Sequence, residues 1–369
     1  MDSPSFYGIV RARLGVDVQP ITKEGGALVN ITHLGVDLAK NVFSVHGVDQ
    51  LGRAQLSREL RRGQMLAFFA KLEPCTIGME SCGSGHYWAR KLTELGHQVR
   101  LMDARFVKPY RKSDKNDRND AEAICEALTC PSMRFVAVKS AQQQAVLTVH
   151  RARALLGAER VALMNHIRGL LAEFGVAIAQ GPTALRRCLP EVLEDASNEL
   201  PMLARETFAE LYERWLDAER RLAEYDLRLK TLARQGESAQ RLMQIPGVGA
   251  ITATAVLATA GDVGNFDNAR QFAAWLGLVP RHYASGGKTR YGRITKRGDA
   301  YLRTLLVHGA RAALRTAHKR NDALSQWALQ LKARRGVNKA IVALAARNAR
   351  IIWALLARQC DYQPRTVSA

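Results

Sequence analysis

The sequence predicts an α/β domain followed by a largely helical remainder, and two patterns carry that prediction. Over residues 31–135, short apolar runs typical of strands alternate with segments of helical periodicity. From residue 136 onward, apolar residues recur at steps of three and four, which is typical of packed helices. The chain has 369 residues, which is enough for two or three domains with a sizeable core.

The α/β part is predicted to open with three strands and then to alternate helix with strand. The segments are, in order, strands HLGVDL, FSVHGVD and AQLSREL, helix RGQMLAFFAKL, strand CTIGME, helix HYWARKLTEL, strand HQVRLMD and helix NDAEAICEALT. The first two strands are expected to form a hairpin. Three strands followed by alternating elements are typical of an RNase H-like layer.

Four carboxylates of the α/β part lie at the ends of predicted strands or at the start of a predicted helix. Asp37 and Glu80 end two predicted strands, while Asp117 and Asp120 are spaced i, i+3 and share one face of a starting helix. Acids in this order build a two-metal site on an RNase H-like sheet. Carboxylate oxygens are ligands for Mg²⁺, and paired metal ions clamp a phosphodiester. Cutting or joining nucleic acid is therefore the first hypothesis.

The alternative for the same acids is structural. Asp37 and Glu80 would be polar residues at strand ends, and Asp117 and Asp120 an N-cap and a first-turn acid favoured by the helix dipole. Four such acids in the metal-site order favour the functional hypothesis. Three nearby cations are predicted to hold phosphates beside the metal: Lys112, Lys115 and Arg118.

Residues 136–237 are predicted to form long helices. The second of these has an unbroken a/d seam, made of Phe208, Leu211, Trp215, Ala218, Leu222, Tyr225, Leu229 and Leu232. Packing against the helix of residues 138–180 within one chain is one hypothesis; a coiled coil that also dimerises the protein is the other. Arg151, Arg160 and Arg168 lie off the apolar face of the first helix and are predicted to contact nucleic acid.

The charge of the chain is strongly positive and unevenly placed. The formal net charge is +20, and residues 270–358 contain 19 Lys or Arg against only Asp299 and Asp322. Such a surface attracts a polyanion, and nucleic-acid phosphates are the commonest one. The six cysteines form no metal-binding spacing and indicate reduced thiols of the cytoplasm. No apolar run is expected to span a bilayer, so no membrane partner is predicted.

Residues 238–358 are predicted to form a third unit, which opens with a helix-hairpin-helix. In LMQIPGVGAITATAVLA, Gly247 and Gly249 let the backbone of the turn approach a phosphate at a helix start. A plain helical hairpin is the alternative. Flanking these domains, residues 1–30 are predicted to be an N-terminal arm and residues 359–369 a polar tail.

A basic, glycine-rich segment follows in the same unit. Ser285 precedes two glycines, and five cations come after it: Lys288, Arg290, Arg293, Lys296 and Arg297. A serine among cations is a candidate nucleophile for a phosphodiester, because the cations stabilise the phosphate charge and a developing alkoxide. The alternative is a basic loop that grips the backbone, since Ser-Gly-Gly is also a common turn.

Several of these segments together resemble one family. GVDLAKN, MESCGSG, KNDRNDAEA, IPGVG and WLGLVPRHYASGGKTRYGRITKRGDAYLR are similar to the DEDD transposases of insertion sequences, the insertion-sequence-one-ten family with its Piv-like DNA invertases. GRITKRGDAYLR resembles the eleven-eleven subgroup. The resemblance covers about residues 33 to 358. The arm of residues 1–30 departs from it, since the acidic motif of the family usually starts near the N-terminus.

The resemblance implies a fold and a chemistry. It implies a RuvC-like domain, a coiled-coil middle and a C-terminal transposase domain, with an acidic tetrad at Asp37, Glu80, Asp117 and Asp120 and a serine nucleophile at Ser285. It also implies a noncoding bridge RNA that pairs with donor and target double-stranded DNA. Homodimers are expected to assemble into a tetramer, in which the RuvC site of one subunit joins the serine loop of another.

The resulting prediction is a Mg²⁺-dependent DNA recombinase of the cytoplasm that forms a phosphoserine link and needs no ATP. Two rivals remain. A metal-only nuclease of Holliday-junction type would retain strand cleavage after Ser285→Ala, and a non-catalytic nucleic-acid scaffold would be unaffected by Asp37→Asn or Asp120→Asn.

Overall fold

The computed structural model describes residues 30–112 and 116–364. The chain divides into two compact units, Met1–Gln142 and Gln143–Ala369. Lys115 and the predicted arm up to residue 29 lie outside the described residues, as do the last five residues of the predicted tail.

The first unit is built on a six-stranded mixed sheet. Its strands are β1 His33–Leu38, β2 Val42–Val48, β3 Ala54–Arg61, β4 Thr76–Glu80, β5 Gln98–Met102 and β6 Phe135–Val136. The strand order is β3-β2-β1-β4-β5-β6. The pairs β1–β2, β2–β3 and β5–β6 are antiparallel, whereas β1–β4 and β4–β5 are parallel. The sheet is therefore a hairpin meander joined to a parallel half, consistent with the predicted RNase H-like domain.

Helices cover both faces of this sheet. They are α1 Met65–Ala70, α2 Gly85–Glu94, α3 Ala104–Val107 and α4 Asp117–Leu128. Buried Phe43, Phe69 and Trp88 fill one core beside the sheet, and Ile124 and Leu128 of α4 belong to a second, smaller core. The predicted strands and helices of the α/β part are confirmed, and α3 and β6 are additions to them.

The second unit is mainly helical. Its helices are α5 Ala141–Glu173, α6 Pro182–Glu194, α7 Met202–Gln235, α8 Glu237–Met243, α9 Ala250–Ala260, α10 Ala269–Trp275, α11 Ala300–Thr316, α12 Ala323–Arg335 and α13 Val337–Arg358. A separate two-stranded antiparallel sheet consists of β7 Pro280–Ser285 and β8 Lys288–Ile294. Sequence reasoning predicted neither α6 nor α12, and it treated β7 and β8 as a loop.

The two long helices α5 and α7 pack on each other in antiparallel directions. Arg153 of α5 is ion-paired with Asp226 of α7, and Arg160, seven residues further on, is ion-paired with Glu219, seven residues earlier. Trp215 and Phe208 are buried in the core that α7 shares with α5 and α6. These contacts are the packing within one chain that the first hypothesis for the apolar seam expected. A role of the seam in dimerisation stays a prediction.

One helix of the second unit corrects the expectation that no segment is long and apolar enough to cross a membrane. By length and composition α13 passes that test. Half of its apolar window is buried, and residues such as Ile341, Leu344 and Ile352 belong to the largest core of the unit. Core helices pass the same test, so length and composition alone do not make α13 a membrane-spanning helix.

A buried histidine connects three helices of this unit. His150 of α5 is 1% exposed, with Nδ1 3.0 Å from the Tyr301 hydroxyl and Nε2 3.0 Å from Oγ1 of Thr254. Thr254 in turn donates its hydroxyl proton to the carbonyl oxygen of Ala250 at 2.8 Å. The neutral ring therefore donates from Nε2 and accepts at Nδ1. Burial, aided by the Arg153 charge, lowers the pKa of His150 to about 4.

We expect this histidine to make folding sensitive to acid. Because the pKa is near 6.5 in the unfolded chain and about 4 in the folded one, the stabilisation is complete above pH 6.5. As the pH falls towards 4 this stabilisation is lost, and the free energy of unfolding falls by about 3 kcal/mol. Urea unfolding at pH 7 and at pH 4.5 measures the change, and His150→Gln should show a smaller one. Equal changes in both proteins would contradict the prediction.

Candidate metal centre and nucleic-acid surfaces

Three of the four predicted acids come together at one edge of the sheet. The carboxylate oxygens of Asp37, Asp117 and Asp120 lie within 4.8 Å of one another. Asp37 and Asp120 are partly buried and Asp117 is exposed. Three carboxylates at this separation repel each other unless a cation lies between them, and their hard oxygen atoms suit a divalent ion such as Mg²⁺. The residues therefore fit a metal site.

Glu80 lies at the same edge without joining that group. Within the described residues the group has three members, and Glu80 is not one of them. It ends β4, which runs parallel to β1, and the last registered pair of these strands is Val36 with Met79. Asp37 and Glu80 each follow that pair by one residue, so their side chains point to the same face of the sheet.

Two glycines let α4 approach this face, and sequence reasoning missed them. Gly35 and Gly78 are directly opposite each other in β1 and β4, two residues before Asp37 and Glu80. A Cβ atom on Gly35 would lie 2.2 Å from the carbonyl oxygen of Ala121 in α4. One on Gly78 would meet the side chains of Ile124 and Leu128 at 3.3 and 3.2 Å. The shared spacing Gly-x-acid was the available signal.

The start of α4 leaves its two acids available for another role. The N-cap is Asn116, whose side chain accepts a hydrogen bond from the backbone N–H of Asn119 at 2.7 Å. The structural alternative, in which Asp117 caps the helix, is therefore wrong. Asp117 and Asp120 both lie in the first turn, where the positive end of the helix dipole favours negative charge.

Two cations near the start of α4 are ion-paired with its acids, and one of them, Arg111, was not predicted. Nη1 of Arg111 lies 3.3 Å from Oδ1 of Asp120. Lys112 forms an exposed ion pair with Glu126 at 2.7 Å, and the bond to Glu126 raises the pKa of the lysine. Arg118 is exposed beside Asp117. Arg111 thus balances part of the carboxylate charge, and Arg118 faces solvent where a phosphate can approach.

The predicted arginines of α5 differ in their surroundings. Arg160 is partly buried and ion-paired with Glu219 at 3.2 Å, and Nε of Arg168 donates to the carbonyl oxygen of Ile178 at 3.1 Å. Arg151 is exposed. Arg160 and Arg168 therefore also hold the helices of their own unit together, which Arg151 does not.

The two predicted glycines of the IPGVG turn have different surroundings. Gly247 has φ +90°, and a Cβ on it would lie 2.6 Å from the carbonyl oxygen of Gly309 in α11. The buried Asn348 donates a 2.8 Å hydrogen bond to the carbonyl oxygen of Pro246. Gly249, the N-cap of α9, is exposed, with no described atom within 4 Å of its Cβ position. Gly247 thus serves packing, and Gly249 opens the helix start to solvent.

Ser285 lies at the tip of an exposed hairpin. It ends β7, and Gly286 and Gly287, with φ +53° and +74°, connect it to Lys288 of β8. Two positive φ angles are those of a type I′ turn, which matches the twist of two paired strands. Apart from the partly buried Ile294, every residue of β7 and β8 is exposed.

The predicted cations of this segment fall into two groups. Lys288, Arg290 and Arg293 lie on the exposed strand β8. Lys296 and Arg297 follow this strand, where the backbone packs tightly against Gly277. The N–H of Lys296 donates to the carbonyl oxygen of Gly277. A Cβ atom on Gly277 would lie 2.0 Å from the carbonyl oxygen of Arg297. The base of the hairpin is thus anchored while its tip projects into solvent.

Comparison with known proteins agrees with this arrangement. Residues 34–175 match a family model of DEDD transposases of IS110 type, and residues 239–326 match the model described as the transposase IS116/IS110/IS902 family. A probable family 20 transposase of Pseudomonas aeruginosa is 50% identical over 337 residues, which are 91% of this chain and all of that protein. The chain belongs to the IS110 family of transposases.

Two further relatives are transposases of named insertion sequences. The IS1111A transposase of Coxiella burnetii is 41% identical over 98% of this chain and 99% of its own length. The IS1328 transposase of Yersinia enterocolitica is 40% identical over 88% of this chain and 96% of its own. As an IS110-family transposase, the protein is an enzyme that acts on DNA, and its DEDD domain implies the use of a divalent metal. The scaffold hypothesis is therefore set aside.

Proposed function

We propose that this transposase cuts and exchanges DNA strands with a metal-binding tetrad and a serine nucleophile, guided by a noncoding bridge RNA. The observation that carries the proposal is the clustering of Asp37, Asp117 and Asp120 on an IS110-type DEDD domain. The exposed position of Ser285 on a cationic hairpin supports the second half of it. Bridge RNA, donor and target duplexes, and a tetramer of two dimers are proposed from the family resemblance.

The acids have defined roles in this proposal. Asp37, Asp117 and Asp120 hold a divalent ion, Mg²⁺ in the cell, and Glu80 turns towards it from the neighbouring strand. A bound ion of this kind polarises a phosphate oxygen and orients the scissile group. Arg118 and Lys112 neutralise neighbouring phosphates, with Lys115 proposed to join them.

Ser285 performs the covalent step. Its Oγ attacks phosphorus, so that an Oγ–P bond forms as the bond from phosphorus to one deoxyribose oxygen breaks. The serine hydroxyl gives up its proton to solvent, and the leaving oxygen takes one up. One phosphodiester replaces another, so the bond energy is conserved without ATP. We propose that Ser285 and the tetrad that it meets belong to different subunits.

DNA and RNA are proposed to bind along the basic surfaces. Lys288, Arg290 and Arg293 contact phosphates beside Ser285, while Lys296 and Arg297 do so at the base of the hairpin. Gly249 offers the N–H groups at the start of α9, and Gly247 shapes that turn. Arg151 is the exposed contact on α5, with Arg160 and Arg168 beside it. The proposed compartment is the cytoplasm, where the chromosome of a bacterium lies.

A trapping assay tests the covalent step. Protein, divalent metal, the RNA that flanks the gene and labelled donor DNA are mixed, denatured and separated on a gel. We expect a slowly migrating protein–DNA band that Ser285→Ala abolishes. Thr289→Ala, an exposed hydroxyl four residues away on the same hairpin, is the matched control and should retain the band.

The same gel decides between the recombinase and the metal-only nuclease. Cleaved DNA without a covalent band, persisting in Ser285→Ala, would support the nuclease and remove Ser285 from the catalytic residues. Loss of both the band and the cleavage in Ser285→Ala, with both retained in Thr289→Ala, would support the recombinase.

A further inference from the structure

The two faces of the β7–β8 hairpin carry different side chains. Opposed residues of antiparallel strands point to the same side, and the registered pairs are Tyr283 with Arg290 and Ser285 with Lys288. The Ser285 face therefore presents Tyr283, Ser285, Lys288 and Arg290. The opposite face presents the pairs His282 with Tyr291 and Ala284 with Thr289.

Tyr283 is placed two residues before the proposed nucleophile on the same strand. Their Cα atoms are about 7 Å apart, at roughly 3.4 Å per residue. The Tyr283 side chain is thus within one nucleotide of a phosphate at Ser285. Both residues are exposed, so a DNA strand can reach them together.

The Tyr283 ring is supported on one edge and open elsewhere. A Cβ atom on Gly292 would lie 3.3 Å from Cε2 of Tyr283, so the ring crosses to the neighbouring strand over a residue without a side chain. The residue nevertheless remains 55% exposed. Support of this kind restricts the ring before any ligand binds, which reduces the entropy lost on binding.

The charge around the ring fits a nucleic-acid strand. Residues 280–294 contain four Lys or Arg and no Asp or Glu. Cations that follow a phosphate backbone, combined with an exposed aromatic face, are the features with which proteins bind unpaired nucleotides. Bases at a site of strand exchange must leave their partners, so an unpaired base is available beside the cut.

We propose that Tyr283 is a positioning residue that stacks on an unpaired DNA base next to the phosphate that Ser285 attacks. Lys288 and Arg290, on the same face, neutralise the flanking phosphates. The stacked base fixes the register of the strand, so that one phosphate meets the Ser285 hydroxyl. This inference rests on the proposed role of Ser285.

The hairpin contains its own control. Tyr291 is 70% exposed and belongs to the opposite face, where its ring lies 5.3 Å from that of His282. A substitution there removes a still more exposed tyrosine from the same hairpin and leaves the Ser285 face intact. A general effect of losing a tyrosine would appear in both variants, whereas stacking beside Ser285 would appear only in one.

The test measures the binding of full-length protein to an oligothymidylate strand with one central 2-aminopurine, in EDTA so that no cleavage occurs. Stacking quenches the fluorescence of this base. We expect Tyr283→Ala to weaken binding by about 5- to 150-fold and to lose the quench, from the usual contribution of a stacked base. Tyr283→Phe and Tyr291→Ala should stay within about twofold of the parent protein.

Three results would overturn the proposal. They are unchanged binding and quenching in Tyr283→Ala, an equal loss in Tyr291→Ala, and a loss confined to an oligouridylate RNA of the same length. The assay is independent of the covalent step, because Ser285→Ala should bind this strand like the parent protein. Failure of stacking and failure of the serine mechanism are therefore distinguishable. If only the stacking proposal fails, the trapping assay still shows the covalent protein–DNA band. If only the serine mechanism fails, binding still quenches the 2-aminopurine fluorescence.

Discussion

Replacing Asp37 with Asn is expected to lower metal-dependent DNA cleavage by about 1,000-fold or more. The change removes one of three carboxylates whose oxygens lie within 4.8 Å of one another. A metal ion at a scissile phosphate contributes several kcal/mol to the transition state, and each 1.36 kcal/mol is a factor of ten in rate. Initial rates of donor-strand cleavage, at a saturating concentration of divalent metal, measure the effect.

A second measurement separates loss of metal from loss of fold. Asn has nearly the shape of Asp, so the variant should still melt cooperatively in EDTA. A divalent ion that binds only the folded protein raises the melting temperature, and that rise should disappear in Asp37→Asn. Glu122→Gln, an exposed acid of α4 outside the cluster, should keep both the rise and the activity. A full metal-dependent rise in Asp37→Asn would show that the cluster is not the metal site.

Adding a single methyl group at Gly35 should displace α4 and thereby disturb the carboxylate cluster. The new Cβ would lie 2.2 Å from the Ala121 carbonyl oxygen and 2.5 Å from the Cys125 nitrogen, and both are backbone atoms that cannot rotate away. Gly35→Ala must therefore push α4 off the sheet, at a cost of about 2 kcal/mol. Asp117 and Asp120 move with the helix, and a displacement of about 1 Å can lower a rate by roughly 100-fold.

Urea unfolding and cleavage rates measure the two consequences together. Gly63→Ala is the matched control, because it lies in the same unit with no described atom within 4 Å of its Cβ position. That variant should match the parent protein in both assays. If Gly35→Ala kept the stability and the cleavage rate of the parent protein, the position of α4 would not require a residue without a side chain at Gly35.

The sequence predicted the sheet and three acids that the structure brings together, because both leave local signals. Strands show as short apolar runs, and Asp37 and Glu80 follow two of them directly. The glycines were harder to predict, since their role depends on the pairing of Gly35 with Gly78, residues 43 positions apart. The Arg111–Asp120 contact likewise depends on how the chain returns after β5, which no local pattern encodes.

The hairpin of Ser285 escaped prediction for a different reason. A half-buried strand shows alternating apolar and polar residues, but nearly all of β7 and β8 is exposed on both faces. Glycines and cations therefore dominated the pattern and indicated a loop. The α6 helix was missed because Pro190 lies inside it, and an internal proline argues against a helix.

The position of β1 within the sheet has a consequence during synthesis. Although β1 comes first among the strands, its neighbours are β2, which follows at once, and β4, which is translated about forty residues later. Asp117 and Asp120 emerge later still. A nascent chain can thus form the β1–β2–β3 meander, but the cluster of Asp37, Asp117 and Asp120 is incomplete until α4 has left the ribosome and packed over Gly35 and Gly78. Translation arrested before that point yields a fragment that lacks Asp117 and Asp120, two of the three clustered carboxylates.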